Sequence, residues 1–314
     1  MSPRTLVIVN PRSRGGANRH FARVEEALRS ALGPIEVEWT RAPRDAERIA
    51  REGVRAGVER LVIAGGDGTT SEVVSGLLGA DLARYADLAI LPLGTGSDLL
   101  RTIGIPRDLN LALQQIAEGT TRCIDVGRIT YHDPEGKEKT SHFANVTSMG
   151  ISGLVMKFVN STTKALGERI SFLIGTLRGL AHYRTQDVKL ALDGETIHAG
   201  PLVLAVAANG SFFGGGMRVA PGARPDDGLL DVVVIPDYTK LRLLRELPRI
   251  YRGTHVDVEG VLSRRGLCLE ASALPGAEGG APSDVWIEVD GEPLGTLPVR
   301  VEILPKAISV LGAR

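Results

Sequence analysis

Leu61–Glu72 reads Leu61-Val62-Ile63-Ala64-Gly65-Gly66-Asp67-Gly68-Thr69-Thr70-Ser71-Glu72, and its two halves demand different backbone. The first four residues form an apolar, β-branched run of the kind found in strands buried on both faces. Gly65 to Thr69 break that run, and the residues beyond Thr69 predict the first turns of a helix. A strand that passes through glycines into a helix start turns free N–H groups and the positive end of the helix dipole outward, which suits an anion. Asp67 would repel a bare phosphate, but it fits if Mg²⁺ or held water lies between acid and phosphates. The stretch therefore predicts a nucleoside triphosphate site.

Working outward, the same β-turn-helix unit recurs. Leu6–Val9 predicts a first strand, followed by the basic, glycine-containing loop Asn10 to Gly16 and a helix from about Asn18 to Ala31. Ile35 to Thr40 alternates as a second strand, with a charged helix over Arg44 to Ala56. A further unit starts at Leu88 and carries a second glycine loop, Pro92-Leu93-Gly94-Thr95-Gly96-Ser97-Asp98. Asp98 suits a helix N-cap, but two loops of matched chemistry on one side of a sheet point to a shared ligand. Neither is a Walker A loop or a dinucleotide fingerprint, because Gly-Lys-Ser/Thr and the third glycine are missing. The alternation predicts a parallel, doubly wound α/β sheet, whose ligands lie beyond the carboxyl ends of the strands.

The chain has 314 residues, about two domains by length. Thirty-seven basic residues balance thirty-seven acidic ones, so no nucleic-acid partner is expected. Cys123 and Cys268 are too few for a disulfide framework and suit a reducing compartment. The run Thr5 to Val9 is too short for a signal h-region and no small-residue cleavage site follows it, and no apolar run approaches the ~18 residues of a membrane span. The expectation is a cytoplasmic protein.

After a helix over Asn110 to Gly119 the pattern changes to short strands and turns, from Cys123 through Val285–Val289, which predicts an antiparallel β-sandwich or barrel-like domain. The boundary falls near Gly127: residues 1–127, completed by 302–314, form the α/β domain, and 128–301 the β domain. One helical interruption, Lys164 to Tyr183, has an apolar face flanked by Lys157, Lys164, Arg169, Arg178 and Arg184. It reads as a helix packed on the sandwich, with a membrane-surface role as the alternative. Asp226-Asp227-Gly228, after the triple glycine Gly214 to Gly216, is either a turn or an oxygen-ligand cation site. Asp290-Gly291-Glu292 ends a strand, but the similar Asp193-Gly194-Glu195 makes the tripeptide weak by itself. No histidine pair has metal-ligand spacing and no serine sits in a nucleophile elbow, so zinc hydrolysis and acyl-enzyme chemistry are unsupported.

Together these residues resemble the soluble diacylglycerol kinase and sphingosine kinase family of lipid kinases, over nearly the whole chain. The motifs that carry the resemblance are Asn10-Pro11 with Ser13 and Gly15-Gly16, Gly65 to Thr69 with Glu72, Pro92 to Thr95 with Asp98 and Arg101, Gly214 to Gly216 with Ala220-Pro221, Asp226 to Asp231, and Asp290-Gly291-Glu292. The resemblance implies an N-terminal α/β domain similar to NAD kinases and phosphofructokinases that binds ATP, and a C-terminal β-sandwich with the lipid site. It implies an active site in the cleft between them. Carried over by position, nucleotide contacts fall on Asn10, Thr40, Gly65, Gly66, Asp67, Gly68, Thr69, Glu72 and Thr95, while Asp67, Asp98 and Asp125 look like the acids around Mg²⁺-bound water. A structural Mg²⁺ would use Asp227 with carbonyls of Arg224 and Leu229, and Glu292, with Asp290 beside it, matches the proposed general base.

The chain departs from the family at Arg14, where a small residue is usual, and at Ser71 and Ser97, where asparagine is usual. The implied activity is ATP- and Mg²⁺-dependent phosphorylation of a lipid hydroxyl by an enzyme that touches membranes transiently; a homodimer is compatible with it. The rivals are an NAD kinase-like enzyme, which shares the Gly-Gly-Asp-Gly loop, and a non-catalytic lipid-binding regulator on the same fold.

Overall fold

The computed structural model describes residues 3–13, 17–94, 98–133, 135–161, 168–275 and 284–312. The chain divides into two compact units, Met1–Val126 with Pro305–Arg314, and Gly127–Leu304.

The first unit contains β1 (Thr5–Val9), α1 (Ala17–Leu32), β2 (Ile35–Trp39), α2 (Asp45–Arg55), β3 (Arg60–Gly65), α3 (Asp67–Leu78), β4 (Asp87–Pro92), α4 (Asp98–Thr102), α5 (Leu109–Glu118) and the start of β5 (Thr121–His132). Its strands are parallel in the order β4-β3-β1-β2, with Thr5 beside both Ile35 and Arg60. The apolar runs named above are buried along their length, because helices cover both faces of the sheet. Phe21, Val24 and Leu28 of α1 and Leu113 and Ile116 of α5 pack on one face. α2 and α3 pack together. At the start of α5, Asp108 accepts from Leu111 N at 3.0 Å, and Gly119 closes the helix in the left-handed region.

The second unit holds the rest of β5, then β6 (Glu138–Phe143), β7 (Val146–Gly150), α6 (Ile151–Ser161), α7 (Glu168–His182), β8 (Gln186–Leu192), β9 (Glu195–Ala208), β10 (Leu230–Pro236), α8 (Lys240–Arg252), β11 (Leu262–Gly266), β12 (Cys268–Ala273), β13 (Trp286–Val289), β14 (Glu292–Thr296) and the start of β15 (Val299–Leu311). Its strands run antiparallel in the order β14-β13-β7-β9-β8-β12-β15, with β10 and β11 continuing from β9 and β6 pairing β5. The end of β15, Ser309–Leu311, pairs parallel with β4 in the first unit's own sheet. Ile129, Phe143, Leu190, Val232, Leu269 and Val301 belong to the core.

Two helices of this unit are additions to the β-rich pattern. α6 packs against α7, whose Gly175 and Gly179 leave room for Val159 and Val155: an added Cβ would lie 2.5 and 2.7 Å from their methyl groups. The N-terminal part of the predicted 164–183 helix, including Leu166, lies outside the described residues; α7 supplies the rest. α8 is hidden in the sequence by Pro248, which reads as a breaker inside a helix, and by apolar residues spread over two stripes rather than one.

Candidate active site

The first unit brings its two glycine loops together at the carboxyl ends of its strands. β1 lies between β2 and β3, so the strand order reverses beside β1 and opens the crevice where open α/β sheets bind ligands. There Asn10 Nδ2 donates to Thr69 Oγ1 at 2.9 Å, and Asn10 Oδ1 accepts from Arg12 N at 2.9 Å. One loop therefore ties the other. Gly66 and Gly94 approach more closely still: a Cβ on Gly94 would sit 2.4 Å from Gly66 Cα and 3.1 Å from its nitrogen. Only two bare backbones fit at that distance.

Asp67 is the first residue of α3, half-buried, and its Oδ2 accepts from Asp98 N at 3.1 Å. Asp98 opens α4, is 4% exposed, and lies 3.5 Å from Arg101 through Oδ1. The two acids are thus joined across the paired loops, next to the free N–H end of α3. Mg²⁺ in phosphoryl-transfer sites is held by one or two carboxylates together with substrate phosphates and water. Asp67 and Asp98 supply a donor set of that size, and the family's metal fits here.

The other residues expected in this site are placed as follows. Thr40 is 9% exposed beyond the end of β2, its N donating to Val9 O at 2.9 Å. Glu72 Oε2 accepts from Ala46 N at 3.2 Å, which commits that oxygen to the first turn of α2. Asp125 is fully buried, with Oδ1 accepting from Lys306 N at 2.7 Å, so that oxygen anchors a backbone. Thr95 lies outside the described residues, as do Arg14, Gly15, Gly16 and Ser97.

In the second unit, Asp290-Gly291 forms the two-residue turn of the β13–β14 hairpin, with both residues at positive φ, +47° and +90°. The Asp290 carboxylate accepts from three backbone groups: Ala144 N through Oδ2 at 3.0 Å, and Asn145 N and Val146 N through Oδ1 at 3.1 and 2.9 Å. That is the work of a structural clamp rather than of a proton carrier. Glu292 is exposed at the head of β14, where a base on an incoming hydroxyl could act.

The sequence pattern missed Glu288. Alternation places it on the same face as Trp286, which is 51% exposed, yet Glu288 is only 4% exposed. Two features bury it. The β13–β14 register shifts between Ile287 and Glu288, and α6 lies over this face, with Gly153 so near that a Cβ would be 2.5 Å from Trp286 Cβ. Inside, Glu288 Oε2 accepts from Ser148 Oγ at 2.8 Å and Oε1 from Gly291 N at 2.6 Å. Desolvation pushes its carboxyl up to about 7, against the pull of those two bonds and helped by the charges of Asp290 and Glu292. The only sequence signal was three acids at alternate positions, 288, 290 and 292.

At the expected cation site of Arg224, Asp227 and Leu229, a side-chain cation already engages the carboxylate. Asp227 Oδ2 accepts from the Arg265 guanidinium at 2.8 Å and Oδ1 from Leu229 N at 3.2 Å. Arg265 also bonds Asp231 Oδ2 at 3.1 Å and Gly222 O at 3.0 Å, while Arg224 lies 3.8 Å from Asp226. The guanidinium already supplies the positive charge that the carboxylates attract. Among the described residues no three His, Cys, Asp or Glu side chains gather as a metal site.

Residues 4–129 match the family model described as diacylglycerol kinase catalytic domain, and residues 145–312 match YegS C-terminal NAD kinase beta sandwich-like domain. The chain belongs to the diacylglycerol kinase family. The enzyme is similar to a diacylglycerol kinase of Mycobacterium tuberculosis (strain ATCC 25618 / H37Rv), 31% identical over 271 residues that cover 86% of this chain and 82% of the relative. It is also similar to the Bacillus subtilis (strain 168) diacylglycerol kinase, 25% identical over 98% of this chain and 96% of that one. The crystal structure of a Bacillus anthracis str. Sterne diacylglycerol kinase aligns with a TM-score of 0.71 at 21% identity, covering 98% and 96% of the two chains. Yeast NADH kinase complexed with NADH aligns at 0.54 and 12% identity, covering 99% and 83%. These two likenesses establish the fold alone. As a member of the family, this kinase is a phosphotransferase with an alcohol group as acceptor. None of the described helices is long and apolar enough to cross a membrane.

Proposed function

We propose that this kinase transfers the γ-phosphoryl group of ATP to a hydroxyl of a lipid, with Mg²⁺ accompanying the nucleotide. The observation that carries the lipid reading is an apolar cavity in the second unit, between α6, α7 and α8 and the strands β9 and β10. Ile151, Val155, Leu180, Phe213, Met217 and Leu247 are among its lining residues, and only Ser152 and Thr176 bring hydroxyls to it. Such a lining suits an acyl chain and offers nothing to a nucleotide's phosphates, which argues against an NAD kinase-like acceptor. An acyl chain of the acceptor, diacylglycerol or a sphingoid base, would bury its methylenes at about 0.8 kcal/mol each.

On the donor side, the N–H groups at the start of α3 and the bare backbones of Gly66 and Gly94 let phosphates approach closely. Asp67 and Asp98 are the residues that would hold Mg²⁺, which when bound supplies neutralisation of phosphate charge. Phosphoryl transfer has a loose transition state, so the protein contributes mainly positioning and electrostatics. Glu292 takes the proton of the acceptor hydroxyl, a contribution on the order of 10²–10⁴-fold. Asp290 and Glu288 hold the turn that carries Glu292.

The test is a side-by-side transfer assay with labelled ATP and, in turn, diacylglycerol, a sphingoid base and NAD. A labelled lipid with unlabelled NAD is the expected result. Labelled NAD alone would establish the rival, and vesicle binding with no transfer to any acceptor would identify a non-catalytic regulator.

A further inference from the structure

α8 reads KLRLLRELPRIYR and separates into three stripes. Leu243, Leu247 and Ile250 turn inward and line the apolar cavity. Leu241, Leu244, Pro248 and Tyr251 follow at spacings of three, four and three residues, which places them on one face. Arg242, Arg245, Arg249 and Arg252 repeat the same spacing one residue later, which places them on the adjoining face. None of the thirteen helix residues is buried, and Leu241 is 78% exposed, Leu244 44% and Tyr251 36%. The helix carries five basic residues, counting Lys240, against Glu246 as its only acid. Arg249 meets Glu246 at 3.0 Å, and Arg242 lies over the Tyr238 ring at 3.7 Å and donates to Glu259 O. Arg245 and Arg252 make no ion pair among the described residues. Lys240 Nζ donates to Ala181 O at 2.5 Å, tying the helix to α7, which adds exposed Leu173 and Leu177.

Single exposed leucines need no explanation. A full-length apolar stripe bordered by a full-length basic stripe does, because that is the pattern of a helix lying in a bilayer interface. We propose that α8 is the surface by which this kinase docks on anionic bilayers, its Leu241–Tyr251 stripe entering the headgroup boundary and its arginines meeting lipid phosphates. The inference rests on the lipid-acceptor reading for its purpose and on charge complementarity for its partner. One side of α8 then faces the bilayer while the other walls the cavity proposed for the acyl chain.

Binding is measured without ATP, by co-sedimentation of the full chain with extruded vesicles of phosphatidylcholine alone or with one quarter phosphatidylglycerol. Sedimentation with the anionic vesicles only, weakened by salt, is expected. Each basic residue near such a surface contributes roughly fivefold. The Arg245→Glu/Arg252→Glu variant should therefore lose binding on the order of tenfold or more, and Leu241→Asp should lose it without a change in melting temperature. Arg245→Lys/Arg252→Lys should keep it. Absence of wild-type binding, equal binding to both vesicles, or unaltered binding by Leu241→Asp overturns the proposal. So does a dimer that dissociates on Leu241→Asp, because the stripe is then covered by a second copy. An enzyme that phosphorylates detergent-dispersed lipid yet ignores vesicles refutes the docking surface alone. One that binds vesicles yet transfers no phosphate refutes the lipid kinase reading.

Discussion

Replacing Glu288 with glutamine isolates one buried ionisation. In the native state burial holds this carboxyl up near 7, while in the unfolded chain it returns to its ordinary value near 4.5. Each tenfold change in proton affinity is about 1.4 kcal/mol, so ionising the buried group costs about 3 kcal/mol of stability. The sign follows from proton counts. Between pH 4.5 and 7 the unfolded state has released the proton and the native state still holds it, so stability falls as pH rises. The contribution is complete below about pH 4.5 and lost above about pH 7. Glutamine matches the shape, its oxygen can accept from Gly291 N and its amide can donate to Ser148, and it has no proton to lose. Other groups whose proton affinity changes on folding, such as His142 and His255, which burial holds below the ordinary imidazole value, are common to both proteins and cancel in the difference. Melting wild type and Glu288→Gln from pH 4.5 to 8 should show the variant gaining on the wild type by about 3 kcal/mol as pH rises. In a unit of this size that is roughly 6–12 °C. A difference that stays constant across the range would show that Glu288 is not a buried, proton-holding group, and the account of the hairpin would fail with it.

Three further outcomes are expected. Asp67→Asn keeps an acceptor for Asp98 N but removes the charge, so kcat should fall on the order of 10²–10³-fold with the fold intact; activity within threefold of wild type would remove Asp67 from the site. Gly94→Ala places a methyl 2.4 Å from Gly66 Cα, so the loops must part, and calorimetric ATP affinity should drop by about tenfold or more while the second unit's melting is unchanged. Asp290→Ala strips the acceptor from three backbone N–H groups, each worth about 1–3 kcal/mol, so urea unfolding should show a loss of about 3 kcal/mol or more; Asp290→Asn should be milder, because asparagine tolerates positive φ and keeps an acceptor.

What could be read from the sequence was local. Leu61–Ala64 and Leu88–Leu91 are buried on both faces because uninterrupted apolar runs have no polar side to turn outward, and the glycines after them mark where backbone must come close. That loop chemistry located the donor half of the site. Arg265 escaped notice because its acidic partners are distant in the chain: Asp227 and Asp231, 38 and 34 residues earlier, reach it only through the pairing of β10 with β11. α8 was obscured by its own Pro248, although its leucines and arginines hold the helical period on either side of that residue.

The hairpin at Asp290 has an internal control. Asp193-Gly194 forms the same turn between β8 and β9, with φ of +52° and +85°, and the Asp193 carboxylate likewise accepts backbone groups, from Leu267 N and Cys268 N at 2.9 Å. An aspartate before glycine at such a turn, its carboxylate clamped on a neighbouring strand, is therefore a structural device this unit uses twice. The two tripeptides are alike, and Glu195 and Glu292 are both exposed. They part company two residues earlier, where Ala191 stands at the position of Glu288. The plain hairpin has no buried acid holding its glycine N–H and no second carboxylate beneath its glutamate. What sets the later hairpin apart is thus Glu288, which lies beneath an aspartate and a glutamate that both hairpins share. Transfer should accordingly be sensitive to Glu292→Gln, while Glu195→Gln, the same change on the matching turn, should leave it untouched.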